Sequence, residues 1–580
     1  MKTILTTLNA KYIHTSLALR WLYVANKDRF DISFHEFVIK EDTFLIANTL
    51  LSLNPDIIGI GIYIWNVEQS IALASILKAR KPGIIVIAGG PEVSYEPELF
   101  LSKGCFDFII SGEGEFVLGE LLAAIANAPS GNYSSINIES ISHQHRINKT
   151  VAKADLRKLA GLPSPYRLPE DQEHRIQYFE TSRGCPYTCS FCLSSIERGV
   201  RFFPLDYIFH NLNYLIENNT RQVKFTDRTF NLHPEHTRSI FEYLIAHYKP
   251  GISFQFEIYA DLLTDELLSH LNEALSPHYF RFEIGIQSTC DKTNQAIRRI
   301  QNFELIANNI KKLMDGQKID LHLDLIAGLP HESIERLKMS FDDVFALRPK
   351  ELQLGFLKML RGTVLRQNAD RYGYRYNSKA PYEIISNNWL SSEDIRRICA
   401  VELTLNKYWN IGKFKRTMQA IFETTLYKNR YFDFFDGLGQ FFSAYPIPDH
   451  YHTEDIFRHL HQFLLSKNID LFAELRQDYY SCYTIRPHGF WENRIDKKIR
   501  KRLLYQIAND KPFLKTNRLD RKTIEKHATI DILDEHNYLL TIFCADGTRE
   551  NPTFLQYDAI GPNDKYSQTI RDNSDQPKVS

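Results

Sequence analysis

Three cysteines stand close together in one short stretch of this 580-residue chain, TSRGCPYTCSFC. Cys185, Cys189 and Cys192 follow the spacing C-x3-C-x2-C, whereas the remaining cysteines have no close cysteine neighbour. Three thiolates on one loop can bind three corners of an iron–sulfur cubane and leave the fourth iron without a protein ligand. Such an open iron permits chelation by a small molecule. A zinc site with a distant fourth ligand is the competing interpretation.

The triple resembles the motif that defines the radical S-adenosylmethionine (SAM) superfamily, in which C-x3-C-x2-C binds a [4Fe–4S] cluster. The resemblance implies that Cys185, Cys189 and Cys192 ligate the cluster, and that the amino and carboxylate groups of SAM chelate the open iron. It places Phe191, the aromatic residue before the third cysteine, beside the adenine. It also implies that the reduced cluster splits SAM into methionine and a 5′-deoxyadenosyl radical.

Polar residues later in the chain resemble SAM-site positions of the branch that contains coproporphyrinogen dehydrogenase and the cobalamin-dependent enzymes. They lie in or follow the stretches FEIYADLL, EIGIQS and DLIAGLP. By this resemblance Glu257 is an acidic SAM-site residue, and Gln287 and Asp324 contact the ribose. Arg299 matches the arginine that pairs with the SAM carboxylate.

One stretch departs from that family pattern. Thr226, Asp227 and Arg228, in KFTDRTFN, stand where the family has the Gly-Gly-Glu stretch that receives the SAM ammonium. The resemblance still makes Thr226 and Asp227 candidate SAM-binding residues. The individual contacts at this corner of the site stay open.

Six short apolar stretches in the middle of the chain predict six strands, because amphipathic helical patterns such as LDYIFHNLNYLIENN separate them. The stretches are QYFETSRG, QVKFTD, SFQFEI, FRFEIGIQS, LHLDLIAG and LQLGFLKML. Six βα units predict a partial (β/α)6 barrel over residues 176–370. The chemistry of such a barrel lies at the carboxyl ends of its strands.

The first third of the chain alternates strand and helix patterns, from KTILTTLN to FDFIISG. Continuous runs rich in β-branched residues suit a parallel sheet that is covered on both faces. We therefore expect a doubly wound, Rossmann-like α/β domain over residues 1–140, with its ligand beyond the carboxyl ends of the strands. No G-x-G-x-x-G follows the first strand, which disfavours a dinucleotide site.

The strand ends of this domain, NAKYIH, YIWN, GGPEVS and SGEGE, resemble the cobalamin-binding domain that precedes many radical SAM cores. The resemblance makes these residues candidate cobalamin contacts: Asn9, Tyr63, Trp65, Asn66, Gly89, Gly90, Gly112, Glu113 and Gly114. The DxHxxG motif that supplies a histidine to cobalt in that family is absent. His14 lies in the corresponding loop without the flanking Asp and Gly, so we do not expect histidine to hold the cobalt.

The strand–helix rhythm changes after RGTVLRQ. The stretch SEDIRRICAVELTLNKYWNIGKFKRTMQAIF has a long amphipathic helical pattern, and HNYLLTIFCAD predicts a late strand. We expect a linker at 141–175, a mostly helical domain at 371–570 and a disordered tail at 571–580. The helical region resembles an uncharacterised domain that follows such cores.

Composition and charge are ordinary for a soluble globular protein, with 43% hydrophobic and 24% charged residues. Lys plus Arg and Asp plus Glu both number 70, so no global basic field indicates nucleic acid as a partner. The basic stretch KKIRKRLLYQ is more simply explained as a solvated helix face. The amino terminus is a poor signal peptide and no window is apolar enough to span a membrane, which favours a cytoplasmic protein.

Together the resemblances imply a radical SAM enzyme whose cofactors are a [4Fe–4S] cluster, SAM and cobalamin. The leading hypothesis is methylation of an unactivated carbon of a small, natural-product-like molecule, with an electron donor such as flavodoxin or ferredoxin. One alternative uses the same cofactors for a cyclisation or rearrangement without methyl transfer. Another is a cobalamin- or cluster-dependent sensor that performs no turnover. The sequence does not identify the substrate.

Overall fold

A computed structural model describes residues 1–128, 132–168, 175–196, 198–447, 452–485, 487, 495–532, 537–543 and 552–558. The chain forms two compact units, Met1–Ile395 and Arg396–Ser580. The predicted disordered tail at 571–580 lies outside the described residues. Within the described ranges, no helix has both the length and the apolar character needed to cross a bilayer.

The first unit begins with a six-stranded sheet. Its strands are β1 (Thr3–Asn9), β2 (Ile32–Val38), β3 (Ile57–Gly61), β4 (Ile85–Gly89), β5 (Phe108–Ile110) and β6 (Ile141–His143). The helices of this segment are α1 (Leu17–Asn26), α2 (Thr43–Ser52), α3 (Val67–Arg80), α4 (Pro97–Leu101), α5 (Glu115–Asn127) and α6 (Leu156–Ala160). The strand order β2-β1-β3-β4-β5-β6, with parallel pairing from β2 to β5, confirms the predicted doubly wound domain.

Apolar side chains cover both faces of this sheet because successive strand residues point to opposite sides. Ile4 and Ile58 belong to one buried cluster, together with side chains of α2 and α3. Leu5 and Ile57 belong to a second buried cluster, together with side chains of α1 and α5. Each fully buried aliphatic side chain contributes about 1.5–3 kcal/mol of transfer free energy, so the two layers fix the strand ends firmly.

The sixth strand was not predicted from the sequence. β6 pairs antiparallel with β5 and lies within 141–175, the segment predicted to be a linker. The same segment contains α6. Three strand residues are too few to show a two-residue hydrophobic period, so the pattern gave no signal there.

The barrel follows within the same unit. Its strands and the hairpin beside them are β7 (Gln177–Phe179), β8 (Ser182–Cys185), β9 (Gly199–Phe202), β10 (Gln222–Phe225), β11 (Ser253–Glu257), β12 (Phe280–Gln287), β13 (Asp320–Ala327) and β14 (Glu351–Phe356). Its helices are α7 (Leu205–Glu217), α8 (Pro234–Ala246), α9 (Asp265–Ala274), α10 (Asp291–Ala296), α11 (Phe303–Gly316), α12 (Ile334–Phe345) and α13 (Val364–Gln367). The parallel order β14-β13-β12-β11-β10-β7 confirms the partial (β/α)6 barrel.

The barrel strands carry polar side chains on the inner face and apolar ones on the outer face. In β12, Phe280, Phe282, Ile284 and Ile286 are buried, and the residues between them are half-buried. The two-residue period of a strand therefore places Glu283 and Gln287 together on the opposite face from these apolar side chains. A charged interior of this kind suits the binding of polar ligands.

The rest of the chain is mostly helical, as predicted. A short hairpin, β15 (Arg375–Tyr376) and β16 (Ile384–Ser386), ends the first unit. The remaining helices are α14 (Ser392–Leu405), α15 (Lys415–Ile421), α16 (Tyr431–Ala444), α17 (Thr453–Ser466), α18 (Phe472–Ser481), α19 (Lys497–Asn509), α20 (Lys511–Thr516) and α21 (Arg521–His527). They are followed by an antiparallel sheet of β17 (Ala528–Ile532), β18 (Asn537–Ile542) and β19 (Thr553–Asp558), of which only β18 was predicted.

Candidate active site

The three clustered cysteines begin at the end of β8, beside the carboxyl ends of the barrel strands. β8 pairs with β9, and Cys185 is its last residue. Gly184 has a φ of +98°, and a Cβ atom on it would collide with the carbonyl oxygen of Gly199. Only glycine permits this close approach, which sets the direction in which the cysteine loop leaves the hairpin.

Backbone hydrogen bonds hold the cysteine loop from two sides. The Ser190 N–H donates to the Ile297 carbonyl over 2.8 Å, and the Leu365 N–H donates to the Ser190 carbonyl over 2.8 Å. Within the loop, the Cys192 N–H donates to the Cys189 carbonyl over 3.1 Å. The backbone around Ile297 and the helix α13 therefore hold the loop in place.

The thiols of this loop lie in a partly desolvated setting. Burial raises the pKa of Cys185 and of Cys189. At Cys189 the Arg299 guanidinium opposes this rise, since its Nη1 lies 4.0 Å from the Cys189 Sγ. Metal ligation requires thiolates, so binding must displace these protons and will strengthen as the pH rises.

A cavity of about 200 Å³, here called the cluster cavity, opens beside the three cysteines. Five of the predicted SAM-site residues line it: Phe191, Glu257, Gln287, Arg299 and Asp324. They come from the cysteine loop, from β11, β12 and β13, and from the loop after α10. The carboxyl ends of neighbouring strands thus bring together residues that are far apart in the sequence.

Gln287 ends β12 in a strained conformation. Its φ is +69°, in the left-handed region, and the register with β13 shifts between Gly285 and Gln287. Within the described residues, its buried side-chain oxygen accepts no hydrogen bond. Backbone strain of this kind costs about 1–3 kcal/mol. An unpaired buried acceptor costs about 1–3 kcal/mol more. A ligand hydroxyl that donates to this oxygen would remove the cost of the unpaired acceptor, and its binding free energy would offset the backbone strain.

Arg299 is a fixed positive charge in the wall of the cluster cavity. Its Nε donates to Gln301 Oε1 over 2.7 Å, and its Nη2 donates to the Gly285 carbonyl. The guanidinium lies 4.9 Å from the centre of the Tyr259 ring, which stacks on Tyr187 at 4.4 Å. These contacts orient the cation beside Cys189, where it can pair with a carboxylate.

Two carboxylates of the barrel interior already have basic side chains beside them. The Lys224 Nζ lies 3.0 Å from Glu283, and His322 Nε2 lies 3.1 Å from Asp324. Burial acts to raise the pKa of Glu283, but Lys224 holds it below its usual value. Burial raises the pKa of Asp324, and the neighbouring His322 opposes that rise.

Glu257 differs from these two carboxylates, since it forms no hydrogen bond or ion pair within the described residues. Burial raises its pKa to about 7, and the charge of nearby Arg228 is the main opposing influence. Its carboxyl group is therefore available to a ligand and can exist in either protonation state near neutral pH.

Asp227 points away from the cluster cavity. Its carboxylate accepts hydrogen bonds from the Thr181 N–H over 3.1 Å, the Thr181 hydroxyl over 2.6 Å and the Ser182 hydroxyl over 2.5 Å. Burial raises its pKa to about 6, and these donors oppose the rise. Asp227 thus stabilises the start of β8 through these hydrogen bonds. Thr226, the other candidate from this stretch, lines two neighbouring cavities.

A second cavity, here called the sheet-edge cavity, has a volume of about 460 Å³ and lies at the carboxyl edge of the first sheet. Several predicted cobalamin contacts line it: Tyr63, Gly89, Gly90, Gly112, Glu113 and Gly114. A Cβ atom on Gly89 would meet only the Ile110 carbonyl oxygen, at 3.8 Å. Gly89 therefore leaves open space at its strand end, whereas Gly90 and Gly112, with φ of +112° and +90°, pack against the backbone of Ile62 and Ala152.

A third cavity, here called the central cavity, has a volume of about 630 Å³. Asn9, Tyr63 and Trp65 line it, and the two aromatic rings stack at 4.6 Å. His14 also lines it, and its Nδ1 lies 2.8 Å from the Tyr178 hydroxyl. Burial lowers the pKa of His14, with Lys11 and Lys224 acting in the same direction, so its imidazole is neutral at neutral pH.

Asn66 supports the sheet and lines none of these three cavities. Its amide nitrogen donates to the Leu8 and Gly61 carbonyls over 3.0 and 3.1 Å. Its amide oxygen accepts from the Tyr63 N–H over 2.8 Å. Asn66 therefore positions the loop of Tyr63 through hydrogen bonds of both its amide nitrogen and its amide oxygen.

The three cavities adjoin one another. Thr226 and Tyr63 line both the sheet-edge and the central cavity. Glu257 lines both the central and the cluster cavity, and Arg228 lines all three. A ligand at the sheet edge and a ligand beside the cysteines would therefore face a common space.

Comparison with known proteins matches three family models to consecutive parts of the chain. Residues 4–122 match the B12 binding domain, residues 179–344 match the radical SAM superfamily, and residues 370–543 match a protein family of unknown function, DUF4080. The first two matches cover the sheet-edge cavity and the cysteine loop. The chain thus contains a B12-binding domain followed by a radical SAM domain. The uncharacterised domain predicted after the barrel is the third match.

Curated relatives of this chain include methyltransferases. The cobalamin-dependent radical SAM methyltransferase TokK of Streptomyces tokunonensis is 24% identical over 57% of this chain and 51% of that protein. The 2-(S-pantetheinyl)-carbapenam-3-carboxylate methyltransferase of Streptantibioticus cattleyicolor is 27% identical over 48% of this chain and 43% of that protein. The chain thus spans about half the length of these relatives.

Solved structures share the fold. The radical SAM methyltransferase TsrM of Kitasatospora setae, with cobalamin and a [4Fe–4S] cluster bound, has a TM-score of 0.54 at 15% identity, over 67% of this chain and 82% of that chain. The cobalamin-dependent SAM radical enzyme OxsB, with aqua-cobalamin bound, has a TM-score of 0.57 at 14% identity, over 83% of this chain and 80% of that chain.

The residues present fit the cofactors of these domains. Three thiols share the wall of the cluster cavity, where Gln287 offers an unpaired acceptor and Arg299 a fixed cation. These groups match the ribose diol and the carboxylate of SAM. The glycine-lined sheet edge leaves room for a large ligand, as the B12-binding domain requires.

Several lining residues were not predicted from the sequence. Tyr187 and Tyr259 lie in the wall of the cluster cavity, and Arg183 and Glu180 lie in the wall of the sheet-edge cavity. The tyrosines gave no signal because aromatic residues are common throughout this chain. Arg183 and Glu180 flank the cysteine motif in ETSRGC, and that proximity is the one signal that could have found them.

Proposed function

We propose that the protein is a cobalamin-dependent radical SAM methyltransferase that acts on an unactivated carbon of a small molecule. The observation that carries this proposal is the junction of the three cavities. Arg228 lines the sheet-edge, central and cluster cavities, so cobalamin at the sheet edge and SAM at the cysteines would share one reaction space. The names of the two curated relatives support methyl transfer.

The protein's own groups bind, orient and exclude water in this proposal. Cys185, Cys189 and Cys192 hold the cluster, and Gln287 and Arg299 orient SAM beside it. When bound, the cluster supplies an electron for SAM cleavage and cobalamin supplies the methyl group. The polar barrel interior and the central cavity hold the substrate between the two cofactors.

The remaining predicted site residues are assigned to the SAM site or to the cobalamin site. Glu257 and Asp324 complete the SAM site, and Phe191 contacts the adenine. Tyr63 and Trp65 contribute to the cobalamin side of the central cavity. We further propose a cytoplasmic location and an electron donor of the flavodoxin or ferredoxin type, because the cluster must be reduced for every SAM cleavage.

The test is product analysis with the fully loaded protein. The protein is reconstituted anaerobically with iron, sulfide and cobalamin, then incubated with a low-potential reductant, SAM labelled in its methyl group and a small-molecule extract of the source cells. We expect 5′-deoxyadenosine, S-adenosylhomocysteine and a product that gains one labelled methyl group. Two SAM molecules are consumed per product, one cleaved reductively and one as methyl donor.

A matched pair of variants controls this experiment. Cys189→Ala should abolish all three products, whereas Cys290→Ala, a half-buried cysteine outside the motif, should leave them unchanged. 5′-Deoxyadenosine without S-adenosylhomocysteine would instead indicate cyclisation or rearrangement. No SAM cleavage by the loaded wild-type protein would contradict an enzymatic role and favour a sensor.

A further inference from the structure

Arg228 is the residue that the proposed SAM and cobalamin sites leave without a role. It follows β10, and its side chain is exposed towards the cavities that it lines. Asp227, directly before it, is fastened to Thr181 and Ser182. In the related family pattern, an acidic residue at this corner receives the SAM ammonium. Arginine cannot accept that hydrogen bond, because the guanidinium offers only donors.

The other cations of the central cavity are already paired. Lys224 lies 3.0 Å from Glu283, and Arg361 donates from its Nε to Glu92 over 2.8 Å. Arg361 also forms an ion pair with Glu96. These two charges are therefore compensated by the protein itself.

Arg228 has no comparable partner. Within the described residues, its side chain forms no hydrogen bond or ion pair. Glu257 is the acidic residue that shares both cavities with it, and the charge of Arg228 acts to lower the pKa of Glu257 without a direct ion pair forming. Glu257 is also the acceptor best suited to the SAM ammonium, since it lines the cluster cavity with its carboxyl group unpaired. If Glu257 accepts from the SAM ammonium, Arg228 also remains without a partner among the described residues once SAM is bound.

We propose that Arg228 anchors an oxyanion of the substrate, a carboxylate or a phosphate group, at the junction of the cluster and central cavities. The inference rests on the proposed function and names the substrate class for it. A guanidinium binds such groups through two parallel hydrogen bonds, which fixes orientation as well as position. The anion would also neutralise the repulsion between Arg228 and SAM, which carries a net positive charge.

This arrangement makes anion binding and SAM binding mutually favourable. Affinity of the cluster-loaded protein for SAM is measured by equilibrium dialysis at constant ionic strength, with malonate, inorganic phosphate or the uncharged analogue malonamide added. Linked sites typically change each other's affinity by about fivefold or more, so we expect at least one anion to tighten SAM binding by at least about that factor. Malonamide should have no effect. The response to malonate and to phosphate separates a carboxylate site from a phosphate site.

Substitutions of Arg228 test whether this residue is responsible for the effect of the anion on SAM affinity. Arg228→Gln should remove the anion effect while leaving SAM affinity in chloride unchanged or tighter, and Arg228→Lys should retain part of the effect. Arg221→Gln, an exposed arginine just before β10 at the opposite end of the strand, makes the same charge change and should behave as the wild type. Cobalamin content is measured on every variant.

The outcomes separate this inference from the proposed function. If wild-type protein binds SAM but no anion changes its affinity, or if Arg228→Gln responds like the wild type, the inference is wrong and the function stands. If Arg228→Gln loses SAM or cobalamin, Arg228 serves that cofactor and the inference is equally wrong. If the loaded wild-type protein binds no SAM at all, the proposed function fails and the inference fails with it.

Discussion

At the scale of single residues, the site contains a side chain held in an unfavourable state. Gln287 combines a φ of +69° with a buried amide oxygen that lacks a partner within the described residues. Neither feature benefits the empty protein. Such features persist where the surrounding structure imposes them, and they concentrate at sites of function. We attribute both to the binding of the SAM ribose.

Gln287→Gly should therefore stabilise the empty protein and weaken SAM binding. Glycine adopts a positive φ without strain, so we expect a gain of roughly 1 kcal/mol in the free energy of unfolding, measured by chemical denaturation. The affinity of the cluster-loaded variant for SAM should fall about tenfold, because a hydrogen bond to the ribose is lost.

Gln317→Gly is the matched control for this substitution. Gln317 has a φ of +51° at the carboxyl end of α11, and its side chain is exposed. The control should gain stability in the same way and leave SAM affinity unchanged. A loss of stability in Gln287→Gly with unaltered SAM affinity would show that Gln287 has a purely structural role.

At the scale of elements, a buried charge cluster connects the hairpin of the cysteine loop to the first sheet. Arg183, on β8, lies 2.8 Å from Glu180, 2.7 Å from Glu115 and 3.2 Å from Glu113. Glu113 also pairs with Arg201. The three acids come from two domains, so this cluster sets the position of the cysteine loop relative to the sheet-edge cavity.

The order of the elements was predictable from the sequence, and the connections between them were not. Six apolar stretches predicted the six barrel strands, because buried strands appear in a sequence as short runs of apolar residues. The pairing of Arg183 with Glu115 follows from a tertiary contact that no local pattern records. For the same reason the sequence placed Asp227 at the SAM site, whereas the structure places its carboxylate beneath β8.

Arg183→Met should destabilise the first unit strongly. Removing the cation from a buried ion cluster typically costs about 3–5 kcal/mol. In the variant Glu115 and Glu180 would lose the cation that they share, whereas Glu113 would keep Arg201. In the wild type Arg183 and Arg201 hold the pKa of Glu113 below its usual value against the effect of burial, so this group contributes stability that is lost as the pH falls. Chemical denaturation should measure the change.

In the Arg183→Met variant, the contribution of these carboxylates to the free energy of unfolding should change with pH in the opposite direction. Unpaired buried carboxylates have raised pKa values and can fold in the neutral form, so the destabilisation should be smaller at pH 5 than at pH 8. Arg238→Met, which removes the exposed pairs of Arg238 with Glu242 and Glu266, should change little at either pH. An equal effect of Arg183→Met at both pH values would contradict the role of Arg183 as the cation of this buried charge cluster.

At the scale of the whole molecule, the first compact unit contains both cofactor domains and the cavities between them. Family models match the B12 domain and the radical SAM barrel within this unit. The second unit carries a buried core of its own around α19, α21 and the last sheet. The residues that line the three cavities all belong to the first unit, so we expect the cluster and cobalamin to bind there through separate groups.

The most direct test of this account is the cofactor content after anaerobic purification with cobalamin, iron and sulfide supplied. We predict about one cobalamin and about four iron atoms per chain, as one cubane beside one B12 site requires. Cys189→Ala should lose the iron and keep the cobalamin. Iron without cobalamin in the wild-type protein would contradict the account, because the sheet-edge cavity would then serve some other ligand.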